Sequence, residues 1–430
     1  MRPSCQDSVS KNLMSVSNPG YGNKTYRIFF GYPMSKHKIP RSIFSAPVWQ
    51  VGFRPFFIAT CLSGALLPML WVIVYSNSFE MLSMSFNPFI SPYHWHIHEM
   101  FFGFGWALLG GFLLTATKNW VGIRGRHGLI LLVLVLLWTV ERIAMGFGGD
   151  WPQVVVYFST IPFIVLITLL LEIDLIRNYT KDTYKDNFYF ILALPLFVVA
   201  KLALLTKEVD PALGISISLG LFRLCFLLML ERTMEAFMKV TAGVALRRIP
   251  WVDHTIKALG FILIFAFSMQ SNVQSALCLL LACLMLVRWL YWHPSKALSR
   301  IDVGVMYLAY LAIVANLVLQ GLIPFQQHWS TSVATHVFTL GTIGLVAPAM
   351  VLRISNGHTG RKVLFTPIDK LCIYLMLLGF GFRVLLPIFE PHIYTECLYI
   401  SALCWLVSFS VIGYRYIPIL LKPRIDGKAH

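Results

Sequence analysis

The chain has 430 residues, 57% of them apolar or aromatic and only 13% charged, with a mean hydropathy of +0.71, a balance that excludes a water-soluble globular domain. Eight cysteines, at positions 5, 61, 225, 278, 283, 372, 397 and 404, stand singly with no CxxC pair, which argues against a disulfide framework and against a zinc knuckle. The formal charge of +16, from 35 Lys and Arg against 19 Asp and Glu, would point to nucleic acid in a soluble chain, but in so apolar a sequence it marks the loops on one face of a membrane.

In chain order, residues 1–45 are rich in Pro, Ser, Asn and Gly with scattered positive charge and hold no apolar run of signal-peptide length, so a partly disordered cytoplasmic leader is expected. A hydrocarbon core about 30 Å thick takes roughly 20 apolar helical residues to cross. Twelve such spans are predicted, at approximately 53–76, 97–117, 128–147, 152–176, 187–205, 212–231, 255–270, 273–291, 301–322, 331–352, 369–388 and 395–416. The fifth and seventh are the shortest, and only the polar run Gln270-Ser271-Asn272 separates the seventh from the eighth. Residues 46–418 thus form one all-α transmembrane helix bundle, followed by a cytoplasmic tail at 419–430.

The basic residues test this division independently. All but five of the 35 Lys and Arg fall in the N-terminal segment, the tail and alternate loops; the exceptions are Arg142, Lys201, Lys207, Arg223 and Arg383. The side rich in Lys and Arg is cytoplasmic, so both termini are read as cytoplasmic.

Depth then sorts the histidines. His94, His96, His98, His328, His336 and His392 fall toward the outer side; His127, His254, His293 and His358 fall toward the inner side, with His37 and His430 in the tails. The run Tyr93-His94-Trp95-His96-Ile97-His98-Glu99-Met100 leads into the second span with three alternating imidazoles, a carboxylate and a thioether. Those groups suit haem iron or copper. If the run is helical, His94 and His98 share one face and His96 and Glu99 another; if the stretch before Ile97 is extended, the three imidazoles converge on one copper ion. Both readings stand at this level. Continuing helically from His96, the small residues Gly103, Ala107 and Gly110 form a stripe that admits either a planar ligand or a neighbouring helix.

In the tenth span, His336 lies one to two turns from the outer end, matching His98 in depth, and two histidines on facing helices are the geometry of bis-histidine haem ligation. A lone packing histidine is the plainer alternative. Arg142 and Arg383, with Lys201, are the cations placed to meet haem propionates, although Arg142 has Glu141 beside it. On the inner side, Arg353-Ile354-Ser355-Asn356-Gly357-His358-Thr359-Gly360-Arg361 is either an anion loop or a tight helix stop, and Glu231, Arg232 and Glu235 form either a proton path or an interfacial salt bridge.

Several short motifs in order carry a resemblance. Gly52-Phe53-Arg54-Pro55-Phe56-Phe57, Trp95-His96-Ile97-His98-Glu99-Met100 with Phe102-Gly103, Gly111-Phe112-Leu113-Leu114-Thr115-Ala116 with Asn119-Trp120, His336 with Gly341 and Gly344, and Arg353 with Gly357-His358-Thr359-Gly360-Arg361 together resemble the NnrS family of integral membrane haem and copper proteins linked to nitric oxide metabolism. Two places depart from that pattern. Residues 231–238 keep only the arginine and one phenylalanine of a GRxxPFF motif, and Met306-Tyr307 stands where a Leu-His pair is frequent.

The resemblance implies a bacterial inner-membrane protein that binds, senses or detoxifies nitric oxide or a similar small diatomic, lies in a lipid bilayer, and meets a respiratory-chain partner. It implies haem b, with copper as a second metal. His96 or His98 with His336 would hold the haem, with Arg142 and Arg383 toward it; His94, with His96, His98 and His336, are the metal candidates, and Glu99 would orient a histidine or move protons. Two other classes compete: a secondary transporter, which twelve spans suit but for which no half-to-half repeat is visible, and an assembly factor handling haem or copper.

Overall fold

The protein is described from a computed structural model that covers residues 43–76, 86–325 and 331–428. Most of the expected leader, together with Cys5, His37, His328 and His430, lies outside the described residues. Every regular element in the described residues is helical, and twelve helices are long and apolar enough to cross a membrane. They are α1 (Phe53–Ser76), α2 (Pro92–Trp120), α3 (Leu129–Phe147), α4 (Gln153–Arg177), α5 (Phe188–Leu205), α6 (Pro211–Ala242), α7 (Pro250–Ser268), α8 (Ser271–Tyr291), α9 (Ile301–Leu322), α10 (Thr331–His358), α11 (Pro367–Phe389) and α12 (Tyr394–Leu420).

The boundaries have local causes. Ser91 caps α2 by accepting from the His94 amide, with Pro92 in the first turn, so the helix starts about a turn before Ile97 and the histidine run is helical. Helix α6 continues to Ala242, three turns past its predicted end, and Arg232 and Glu235 in the first of those turns pair with Asp186 and Arg248. The chain breaks between α7 and α8 at Met269 and Gln270, where the polar run required it. Helix α10 ends in a Schellman motif: Arg361 N–H donates to Asn356 O at 2.9 Å, Gly360 N–H donates to Gly357 O at 3.3 Å, and Gly360 takes the left-handed φ of +81°. The Gly-His-Thr-Gly run is therefore a helix stop. Its Arg353 donates to Asp302 O at 2.9 and 3.1 Å and stacks 4.1 Å from the Phe237 ring.

Helices adjacent in the chain pair, α5 with α6, α8 with α9 and α11 with α12, and the first helix, α1, is laid against the last, α12. The central helices are α2, α6 and α10, whose apolar windows are 89%, 78% and 83% buried, against 33% for α3 and 28% for α11. Lipid offers no hydrophobic gain for bringing helices together, so close packing and polar ties hold this centre. Ala107 is buried in the middle of α2, a Cβ on Gly110 would lie 2.7 Å from Ile167 Cδ1, and one on Gly103 would lie 2.2 Å from Arg142 Nη1. The small-residue stripe of α2 therefore faces protein and admits no planar ligand.

The end of the bundle that holds the basic loops is closed by an ion network. Glu231 accepts from Arg288 at 2.8 Å and Arg248 at 2.5 Å and lies 3.0 Å from Lys257, while Asp186 takes Lys257 at 2.6 Å and Arg232 at 2.8 Å. The Arg232 guanidinium also lies over the Tyr184 and Trp120 rings at 4.3 and 4.6 Å. Each acid here meets two or three cations, the salt-bridge reading of Glu231 and Arg232, with Glu235 at its rim 3.8 Å from Arg248.

Candidate functional site

Three π-helical segments interrupt the helices: Glu99–Gly105 in α2, Thr339–Ile343 in α10 and Gly381–Leu385 in α11. A π-turn adds a residue and rotates the following face by about 100° relative to a continuous α-helix, and such turns collect at functional sites. The first follows His96 and His98, the second follows His336, and the third carries Arg383.

His96, His336 and Arg383 line one cavity of about 620 Å³, the size of a typical small-molecule or cofactor site. Its walls include Trp71, Met100, Phe104, Leu340 and Trp405. Two imidazoles from the two most buried helices thus face one mostly apolar space. The His96 ring stacks on Trp71 with centroids 4.5 Å apart and planes 14° apart, and its buried Nδ1 has no hydrogen-bond partner. A buried ring nitrogen left unpaired costs free energy unless something outside the protein fills it.

His336 is oriented from the other side. Its Nδ1 lies 2.7 Å from Ser332 O, and a carbonyl only accepts, so the ring proton belongs on Nδ1 and Nε2 is left with its lone pair. This is the tautomer-fixing arrangement of metal-ligating histidines. Arg383 Nη2 donates to Ser332 Oγ at 3.2 Å, and its guanidinium lies 5.5 Å from the Tyr394 ring. Among the described residues no carboxylate pairs with Arg383, so its charge is available to an anionic group in the cavity.

His98 belongs to a different cluster. Its Nδ1 is 3.0 Å from Glu99 Oε1 and its Nε2 is 3.4 Å from Glu141 Oε1. Arg142 donates to Glu99 Oε2 at 2.9 Å and also pairs with Glu141. Lys201 pairs with Glu141, donates to Thr160 O at 2.7 Å and lies 5.4 Å from the Phe102 ring. His98, Glu99, Glu141 and Lys201 are all at most 1% exposed. Two carboxylates and two cations balance, as charges within a membrane must, with His98 hydrogen-bonded to Glu99 and its Nε2 left without a hydrogen-bond partner. All sit within roughly 10 Å of the ends of α2, α3 and α5, at 1.5 Å per residue. Arg142 is thereby committed to two acids, and Glu99 to Arg142 and His98.

His94 lies apart from both groups, its Nδ1 2.9 Å from Ser91 Oγ. The three alternating imidazoles face three environments because the run is helical, and among the described residues no group of three or more His, Cys, Asp and Glu side chains is placed to hold a metal ion. Residues 47–424 match the family described as NnrS protein.

The chain belongs to the NnrS family. No curated protein matches it.

Within this NnrS chain, Tyr307 lies away from the cavity, fully buried, and donates to Trp292 O at 2.6 Å. Tyr310 accepts from Arg288 at 2.9 Å. Position 307 therefore serves the packing of α8 on α9. Sequence reasoning passed over Trp71, which carries no ligand chemistry and announces itself only by stacking on His96. It also left Glu141 as a mere neighbour of Arg142, although Glu141 is the hub that His98, Arg142 and Lys201 share.

Proposed function

We propose that this multi-pass membrane protein would hold a haem b between His96 and His336, one of the two imidazoles yielding its place to nitric oxide or a similar diatomic, in the cytoplasmic membrane of a bacterium. The observation that carries this reading is the pair of imidazoles on α2 and α10 facing one largely apolar cavity, each with a ring nitrogen not claimed by the protein. The residues fit the group: two neutral nitrogen ligands, an apolar slot of suitable size, and Arg383 without a carboxylate partner to meet a propionate. Bound there, haem supplies iron for coordinating a diatomic and for one-electron chemistry. The chain's own contribution is orientation. Trp71 fixes the plane of His96, Ser332 O fixes the tautomer of His336, and aromatic side chains such as Phe104 and Trp405 form part of the wall. Nitric oxide is small and apolar enough to arrive through the bilayer.

The family's link to nitric oxide metabolism supports the choice of ligand, and the Lys and Arg bias supports both termini on the cytoplasmic face. Among the described residues no group of three or more His, Cys, Asp and Glu side chains is placed to hold a metal ion, and the reading is therefore built on haem. The test is iron analysis and the optical spectrum of purified protein, oxidised, reduced, and reduced with nitric oxide. A Soret band that moves with nitric oxide and is lost in His96→Ala and in His336→Ala, but kept in His98→Gln, is expected. A colourless, iron-free wild type would sink the proposal and favour the transporter reading; a band lost only with His98 would refute the ligand assignment.

A further inference from the structure

The central helix α6 carries Arg223 near its middle, about 18 Å along from Pro211 at 1.5 Å per residue. Its side chain is 4% exposed. Its Nη1 donates to Asn316 Oδ1 at 3.1 Å and to Gln320 Oε1 at 2.7 Å, and among the described residues no carboxylate pairs with it. Lys201 and Arg288, equally deep in the bundle, each face an acid. Neutral amides offset only part of the cost of a charge at such depth, and an intramembrane cation of this kind points to function.

The amides also relay the charge to the cavity. Arginine has donors only, so Gln320 must turn its oxygen to Arg223, and its NH₂ is the end left for the cavity that Gln320 lines. Asn316 is turned the same way, its Nδ2 donating to Ala334 O at 2.7 Å, two residues before His336. Ser275 also lines the cavity, its carbonyl 3.2 Å from where a Cβ on Gly321 would lie; it is 2% exposed, and its Oγ is buried and has no hydrogen-bond partner. Ser216 and Gln274 complete this polar wall. The region offers donors backed by an uncompensated positive charge and no acidic acceptor.

We infer that this lobe of the cavity, formed by Gln320 and Ser275 with Arg223 behind them, is a binding site for an anionic oxygen group, a carboxylate or a small oxyanion of the nitrite type. The inference goes beyond the haem reading, since it needs only the cavity and its charge. The same chemistry has two sources here, a carboxylate of a bound haem or a free oxyanion, and the experiment separates them.

The informative variant is Gln320→Glu. It gives Arg223 an internal carboxylate, so the fold is preserved while the site is filled by the protein's own charge; Ser275→Ala removes one donor. Nitrite binding to the purified full-length protein is measured by titration calorimetry, and haem retained per protein is measured beside it, for haem and for its dimethyl ester. Saturable nitrite binding to wild type, competed by formate, and weakened about tenfold or more in Gln320→Glu supports the site with a free oxyanion as its ligand. Loss of haem but not of the dimethyl ester in Gln320→Glu supports the site with a haem carboxylate as its ligand. Unchanged nitrite binding and unchanged haem retention in both variants would overturn the inference, whatever the spectrum says of His96 and His336.

Discussion

Replacing Glu141 by glutamine keeps the shape of the buried cluster at α2, α3 and α5 and removes one charge. In the native cluster Glu99 and Glu141 balance Arg142 and Lys201, with His98 hydrogen-bonded to Glu99. After the change two cations face one acid, and Lys201, fully buried, keeps only neutral partners: Thr160 O, the face of Phe102 and the new amide oxygen. Breaking a buried ion pair from one side costs about 3–5 kcal/mol, because the remaining charge stays desolvated without its partner. The double variant Glu141→Gln with Lys201→Met restores the balance of one acid and one cation, and residues in direct contact couple by about 0.5–3 kcal/mol. The double variant should therefore be more stable than Glu141→Gln alone. The assay is SDS-driven unfolding in mixed micelles followed by tryptophan fluorescence. Additive losses, with the double variant weaker than either single one, would show that Glu141 and Lys201 do not sense each other and would refute the charge-balance argument.

Three further outcomes follow from particular contacts. Tyr307→Phe should lose about 1 kcal/mol of stability with its bond to Trp292 O and leave iron content unchanged, as should the iron content of Tyr307→His; a change in iron per protein would contradict the packing role of this position. Gly220→Ala places a Cβ 2.7 Å from Ile264 Cα and 3.2 Å from Leu263 O, backbone that cannot yield, so α6 and α7 should separate at a cost of about 1–3 kcal/mol, whereas Gly413→Ala, with its nearest atom at 3.4 Å, should be tolerated. Thermal aggregation of the two variants in detergent compares them directly. Arg54, at the start of α1, donates to Leu420 O at 2.6 Å and Lys422 O at 2.7 Å and so ties down the end of α12; in Arg54→Met the tail should be cut by trypsin at Arg424 several-fold faster, and an unchanged rate would remove this role.

The site was legible in the sequence to the level of its ingredients. His96, His336 and Arg383 were all picked out, from depth and residue type, and the structure gathers these three around one cavity. His98, Glu99 and Arg142 were picked out by the same reasoning, yet they form a charge-balanced cluster of their own. The matching depth of His98 and His336 was a sound observation that did not establish which face each ring takes. The helical face drawn from His96 through Gly103 and Gly110 assumed 3.6 residues per turn throughout, and the π-segment at Glu99–Gly105 breaks that register one turn after His96.

What the sequence determined by itself was the number of spans, their order and the partition of the basic residues. Lipid permits only helices of membrane length, so hydropathy reads them directly, and Lys and Arg sort the loops without reference to packing. The tertiary structure alone decided which imidazole meets which neighbour. It placed Trp71 of α1 on His96, Glu141 against both His98 and Lys201, and the amides of α9 against Arg223, pairings between residues 25 to 97 positions apart that no local pattern encodes. The physical reason is the same in each case: within a bilayer a polar group must find its partner on another helix, and only the way the helices pack says which helix that is.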